Sequence, residues 1–249
     1  MIKPIPKHIH QIWWQGESNI PSKFKTWRES WYRFHPDWSF TLWDESSMNN
    51  FVRIYEPELF DSFLSWPLPI YRADAFRYIL LKHSGGWYID MDFECLRSID
   101  NLQNDAEVVL SKTIFFNNAI MGGIKDHPLW SMLVAQLPKF ITTNGRPPET
   151  VVGPMYFSRV IEMNAFDKMH GVVCLPSFIF EPLAPFFENG YIKTGKNTEN
   201  SYAIHYQTLE WMTKEQKFLS KLSDLFFMPV LRLLIRLTKK KIGFPADRA

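Results

Sequence analysis

The chain has 249 residues, a formal net charge of +2 and 16% aromatic side chains, with 10 Trp, 9 Tyr and 21 Phe, so it is long enough to bury a core in one large domain or two small ones. Its two cysteines, Cys95 and Cys174, lie in no CxxC or Cys/His cluster, which argues against a disulfide framework and structural zinc and fits a reducing compartment. No run reaches the ~18 apolar residues of a spanning helix, and Met1 to His8 has no apolar core of signal-peptide length.

In chain order, His8 to Trp14 (HIHQIWW) is β-prone and ends at Gln15-Gly16, which predicts a first strand. Pro21-Ser22 opens a helix from about Lys23 to Phe34 that stops before His35-Pro36. Ser39 to Trp43 alternates as a second strand, and Asp44-Glu45-Ser46 can cap the next element. Strand, helix, strand at this spacing marks a βαβ unit of a layered α/β domain. Ile70 to His83 reads as a helix with Ala73, Phe76, Tyr78, Ile79 and Leu80 toward the core, ended by Gly85-Gly86. Trp87 to Asp90 is the next strand. Glu107 to Leu110 and Ile120-Met121 are weaker strands, Pro128 to Phe140 and Met155 to Met163 helices, Thr142 to Pro148 a polar loop, and Val172 to Leu175 and Tyr202 to His205 late strands.

The last segment differs in character. From Lys217 onward eight Lys/Arg face two Asp/Glu, whereas the preceding residues carry 20 against 24. Phe218 to Leu237 is apolar but broken at Pro229, and Lys239 to Lys241 come next. One reading is a packed terminal helix with a basic end. The other is an interfacial helix over 218–241 that rests on a membrane, with lipid favoured over nucleic acid because the basic residues are interleaved with Leu, Ile and Phe.

Asp90-Met91-Asp92 carries the chemistry. In an extended strand, side chains two apart share a face, and two close carboxylates ionise together only beside a cation. Oxygen ligands suit Mg²⁺ or Mn²⁺, and in open α/β sheets ligands bind beyond the carboxyl ends of strands. On the preceding helix, Asp74 and Arg77 are three apart and so lie on one face. In isolation they would make a surface ion pair worth at most ~1 kcal/mol, but the glycine turn folds that helix back toward the Asp90 strand.

The block IHQIWWQG (Ile9 to Gly16) with Ile20-Pro21, followed by RADAFRYILLKHSGGWYIDMD (Arg72 to Asp92), resembles the DXD-motif glycosyltransferases. It is most similar to the group of yeast-type initiating α-mannosyltransferases and bacterial capsule or lipopolysaccharide sugar transferases, with clostridial glucosylating toxins more distant. Asn117 to Pro128, Val151 to Pro154 and Ala203 to Trp211 resemble later blocks of that group.

The resemblance, which runs from about Lys3 to Trp211, implies a GT-A-like, Rossmann-like mixed sheet flanked by helices; with no internal repeat or clear linker, the chain reads as one catalytic domain over 1–215 and a basic, amphipathic helical tail over 216–249. It implies a UDP- or GDP-hexose donor, Mn²⁺ or Mg²⁺, and retention of anomeric configuration. Asp92 would bind the metal, and Asp90 would contact ribose or sugar hydroxyls and assist at the metal. Trp13 would lie against the nucleobase, Asp74 and Arg77 would hold the donor sugar and the diphosphate charge, and Asn118 would touch the sugar. His205 and Trp211 would close the site, His205 at the metal. Glu210 stands where the group has a small residue before its Trp, a departure that affects the local metal or phosphate contacts.

The expected reaction moves a hexose to a glycan or lipid-linked oligosaccharide acceptor in surface polysaccharide synthesis, in the cytoplasm or on the inner face of the cytoplasmic membrane. Two alternatives compete with it. A phosphohydrolase with an aspartyl nucleophile would want Thr or Val where Glu94 stands; a sugar-binding module would leave the Asp74/Arg77 and Asp90/Asp92 arrangement unused. The remaining histidines (8, 10, 35, 83, 127 and 170) read as caps, core or surface groups. Trp27, Trp31, Trp38 and Trp43 read as packing, and both cysteines as buried small apolar groups.

Overall fold

The computed structural model describes residues 2–141, 148–183, 186–188, 191–193 and 198–208. The chain divides after Tyr206, and the first unit carries the sheet and helices. The expected tail over 216–249, together with Glu210 and Trp211, lies outside the described residues, as does most of the expected loop after Ile141.

The opening elements follow the order expected from the sequence, and several that the sequence did not signal join them. Strand β1 (His8–Ile12), helix α1 (Ser22–Phe34) and strand β2 (Ser39–Trp43) form the anticipated βαβ unit, with β1 and β2 parallel and His8 opposite Ser39. Asp44 caps α2 (Glu45–Tyr55), its carboxylate accepting from the Ser47 amide while the Ser47 hydroxyl accepts from the Asp44 amide. Helices α3 (Pro57–Ser65) and α4 (Pro69–Ser84) each start with proline at the first turn, where no amide donor is needed. Next come β3 (Gly86–Ile89), β4 (Phe93–Cys95), β5 (Val108–Lys112), β6 (Ile120–Gly123), α5 (Pro128–Ile141), α6 (Pro148–Val151), α7 (Pro154–Met163) and β7 (Val172–Pro176). A short pair, β8 (Phe186–Glu188) and β9 (Tyr191–Lys193), precedes β10 (Ala203–His205).

The main sheet has six strands in the order β2-β1-β3-β6-β5-β7. Strands β2, β1 and β3 run parallel, β6 is antiparallel to both β3 and β5, and β7 is parallel to β5. Alternation sorts the apolar side chains onto two faces. Tyr88, Val108, Leu110 and Met121 join the layer with Phe76, Ile79, Leu80 and Trp130. Trp87, Ile89, Val109 and Ile120 join Trp31, Trp38, Phe93 and Phe180 on the other. Gly86, at φ +93°, is required twice over: the left-handed backbone disfavours a side chain, and a Cβ there would stand 2.7 Å from the His8 carbonyl oxygen. At Gly122 a Cβ would stand 2.6 Å from the Trp87 ring, so the large indole opposite demands the glycine.

Two expectations need revision, and a third point settles an alternative. Strand β1 ends at Ile12, which leaves Trp13 and Trp14 beyond it at the carboxyl rim. Cys95 is buried as anticipated, but Cys174 is exposed, because β7 is the edge strand of the sheet. Helix α4 has no polar face: every residue from Asp74 to Leu81 is buried, so Asp74 and Arg77 are not a surface pair. Of the four tryptophans read as packing, Trp31 and Trp38 are buried, Trp43 packs on the main core, and Trp27 stacks on Tyr206 with centroids 4.4 Å apart.

Candidate metal and donor-sugar site

Strand β3 ends at Ile89, and the chain turns at once: the Phe93 amide donates to the Asp90 carbonyl at 3.3 Å. The two aspartates therefore come together across a turn, not along one face of an extended strand. The Asp90 backbone N–H donates to the Ala119 carbonyl at 2.8 Å, which ties the turn to the start of β6. A separate two-stranded ribbon supplies the third group. Strand β10 runs antiparallel to β4 with His205 opposite Phe93, and the Tyr206 amide donates to the Asp92 carbonyl at 3.0 Å. Asp90, Asp92 and His205 consequently offer ligand atoms that all lie within 4.8 Å of one another.

Beneath this cluster, α4 delivers its pair. Arg77 Nη2 lies 2.8 Å from Asp74 Oδ1 and 3.5 Å from Asp90 Oδ1, with the Arg77 and Asp74 side chains only 4% and 8% exposed and that of Asp90 28%. Arg77 Nη1 donates to the Asn118 carbonyl at 2.7 Å, and its guanidinium lies 4.5 Å from the centroid of the Tyr88 ring. The Asn118 amide donates to Asp74 Oδ1 at 3.2 Å and to the Tyr78 hydroxyl at 3.0 Å, while the Tyr78 hydroxyl donates to the Val152 carbonyl at 2.8 Å. The Tyr88 hydroxyl donates to Asp90 Oδ1. A buried ion pair recovers its desolvation cost only with such additional hydrogen bonds.

The electrostatics follow from these contacts. Burial raises the Asp90 carboxyl above its usual range, Arg77 opposes that, and the nearby Asp92 adds to it. Burial pulls Arg77 down, but the carboxylates of Asp90 and Asp74 beside it outweigh that and leave the guanidinium firmly protonated. For His205, burial also lowers the pKa, yet hydrogen bonds to Asp92 and Glu181 reverse the sign and bring it to about 9. An imidazolium is thus the cation facing Asp92 at neutral pH. The donor set of two carboxylates and one imidazole fits a divalent ion, which would replace that proton.

Trp13 packs in a small cluster with Ile20, Phe24 and Met91, the residue between the two aspartates, and its ring centroid lies 4.8 Å from that of Phe24. The residues that follow it, Trp14, Gln15 and Gly16, line an open surface hollow of about 460 Å³ together with Asp44, Glu45, Ser46 and Asn49. Arg72 covers one face of Trp14 at 4.3 Å and pairs with Glu45 at 3.1 Å. The structure therefore brings Asp74, Arg77, Asn118, Asp90, Asp92 and His205 into one constellation, with Trp13 adjoining it through Met91. Sequence reasoning misses Tyr78, Tyr88 and Glu181. Tyr88 precedes Asp90 by two on an extended segment, so period-two alternation could have flagged it; Glu181 carries no local signal, since its partner lies 24 residues on.

With this geometry in place, residues 21–109 match the family described as the glycosyltransferase sugar-binding region containing DXD motif. The chain belongs to the DXD-motif glycosyltransferases. The motif in this DXD chain is Asp90-Met91-Asp92. It is 36% identical over 220 residues to inositol phosphoceramide mannosyltransferase 3 of Schizosaccharomyces pombe, covering 83% of this chain and 60% of that protein. It is 33% identical over 123 residues to the initiation-specific alpha-1,6-mannosyltransferase of Saccharomyces cerevisiae, covering 47% of this chain and 26% of that one. Among solved structures, the PaToxG glycosyltransferase superposes with a TM-score of 0.52 at 17% identity, over 66% of this chain and 71% of that chain, a likeness of fold. The architecture is accordingly GT-A-like, a mixed sheet flanked by helices.

Proposed function

We propose that this DXD glycosyltransferase moves a hexose, mannose in the first instance, from a UDP- or GDP-sugar to a hydroxyl of a lipid-linked or glycan acceptor, with retention of configuration and dependence on Mn²⁺ or Mg²⁺. The observation that carries the reading is the convergence of Asp90, Asp92 and His205 at the carboxyl end of β3, within a chain of this family. Mannose is favoured because the relatives named above are mannosyltransferases. A surface-polysaccharide acceptor falls in the same chemical class. Because the chain spans about 60% of the first of these relatives, the acceptor is inferred from chemistry.

Asp90, Asp92 and His205 would hold the cation, which when bound lends positive charge to the departing diphosphate. Arg77, fixed against Asp90, adds a second positive charge on the same side, and Asp74 faces the positive charge that develops on the sugar ring. Trp13 and the hollow lined by Trp14, Gln15 and Gly16 would receive the nucleobase, and Asn118 would meet a sugar hydroxyl. As the sugar–phosphate C1–O bond breaks, a C1–O bond to the acceptor forms on the same face, and the acceptor's proton passes to a diphosphate oxygen. A covalent sugar trapped on an enzyme carboxylate would overturn that front-face course.

A panel of UDP- and GDP-hexoses assayed with and without Mn²⁺, with and without acceptor, tests the assignment. Metal-dependent turnover, greatest for a mannosyl donor, is the expected outcome; binding of every donor without turnover would instead make the protein a sugar-binding module. We also propose that it works at the cytoplasmic face of a membrane through 218–241. Among the described residues no helix is long and apolar enough to cross a membrane. Equal co-sedimentation with anionic liposomes by full-length and tail-deleted protein would remove that part.

A further inference from the structure

We propose that Glu181 is the positioning residue that orients His205 toward the cation, a role resting on the metal reading above. Glu181 is buried just after β7, in a segment the DXD match does not reach. Its Oε1 lies 3.0 Å from His205 Nδ1, while His205 Nε2 lies 3.3 Å from Asp92 Oδ1. An ionised carboxylate only accepts hydrogen bonds, so Nδ1 keeps its proton toward Glu181, and Nε2, beside the metal-site Asp92, is the nitrogen that would exchange its proton for a metal. The ring has a second constraint, stacking on Phe93 with centroids 4.1 Å apart and planes 12° apart. Hydrogen bond and stack together fix both the rotation and the tilt of the imidazole.

Glu181 is itself held in place. Its amide donates to the Ser177 carbonyl at 2.7 Å, and the Tyr202 amide donates to the Ile179 carbonyl at 2.7 Å. The Ser201 hydroxyl donates to the Phe178 carbonyl at 2.7 Å. The turn that carries Glu181 is therefore stitched to the residues that lead into β10 and His205. A histidine ligand whose other nitrogen donates to a carboxylate is the general arrangement for tuning metal affinity. Glu181 stands outside the cluster whose ligand atoms converge, so it acts through His205.

The test is the Mn²⁺ dissociation constant of the full chain, measured by titration calorimetry at one pH for wild type, Glu181→Ala, Glu181→Gln, His205→Ala and the Glu181→Ala/His205→Ala double variant. Glu181→Ala should weaken Mn²⁺ binding by about 10–100-fold. Glu181→Gln, which keeps an acceptor for Nδ1–H, should lose less, and Glu181→Ala should add under about twofold once His205 is gone, because the two act as one unit. An unchanged constant in Glu181→Ala, or the same loss with and without His205, overturns the positioning role. If Glu181→Ala does not fold, Glu181→Gln decides, a weaker constant supporting the role and a wild-type one removing it. Wild-type protein that takes up no Mn²⁺ defeats the metal reading first, and the role of Glu181 with it.

Discussion

The root and the rim of the site are built on opposite principles. At the root, Arg77, Asp74, Asn118, Tyr78 and Tyr88 are buried and bonded to one another. At the rim, the carboxylates of Asp90, Asp92 and Glu181 gather around one imidazole, with Arg77 reaching only Asp90 from below. A buried network bonded this densely specifies a shape and resists change, although Arg77 Nε within it has no hydrogen-bond partner among the described residues. The rim instead offers two carboxylates and an imidazole whose ligand atoms converge, a donor set that suits a cation. The root should thus govern stability as well as donor binding, whereas the rim should govern turnover with little effect on stability.

Breaking the root gives the largest expected loss of stability. Arg77→Met leaves the buried Asp74 carboxylate without its guanidinium, and removing one partner of a buried pair costs about 3–5 kcal/mol. Urea denaturation followed by circular dichroism measures it, and a loss below ~1 kcal/mol would mean that the root is not the scaffold. Asp92→Asn should do the reverse. Turnover should fall about 10²–10³-fold, as when a group stabilising transition-state charge is deleted, while the denaturation midpoint stays near wild type. Undiminished Mn²⁺-dependent turnover in that variant would erase the distinction between rim and root.

The smallest effect lies away from both. His10 is buried on β1, donating from Nε2 to the Gly85 carbonyl at 3.1 Å and accepting at Nδ1 from the Trp43 indole at 3.4 Å, an arrangement that needs a neutral ring. Burial, with His8 beside it, pushes its pKa down to about 3. The unfolded chain therefore binds this proton first, and stability is complete above about pH 6.5 and falls as pH drops from there toward 3, by at most ~1.4 kcal/mol per pH unit for this one group. Folding free energies of wild type and His10→Gln between pH 7 and 4.5 should diverge with the wild type losing more. Parallel curves would show that the buried imidazole does not set the acid limb.

Much of the fold is legible locally. The apolar alternation of Ser39 to Trp43, the proline before α1 and the glycines after α4 each mark an element boundary where the structure has one. The Asp90-Met91-Asp92 signal is equally plain, although the geometry behind it is not. Its spacing suggests an extended strand, whereas a tight turn after Ile89 does the work of bringing the carboxylates together. Spacing alone gives the helix that carries Asp74 and Arg77 a solvent face, because it reports which residues share a side and not what covers it.

By itself, the order of residues determined the elements, the paired acids and the approach of the α4 pair, because turns, caps and periodicity depend on neighbours within a few positions. Only the tertiary structure decided that Asp74 and Arg77 are interior, that β10 pairs with β4 to set His205 against Asp92, and that Glu181 stands behind that imidazole. Those contacts join residues far apart in the chain, and their geometry is set by strand pairing and burial, which no local pattern encodes.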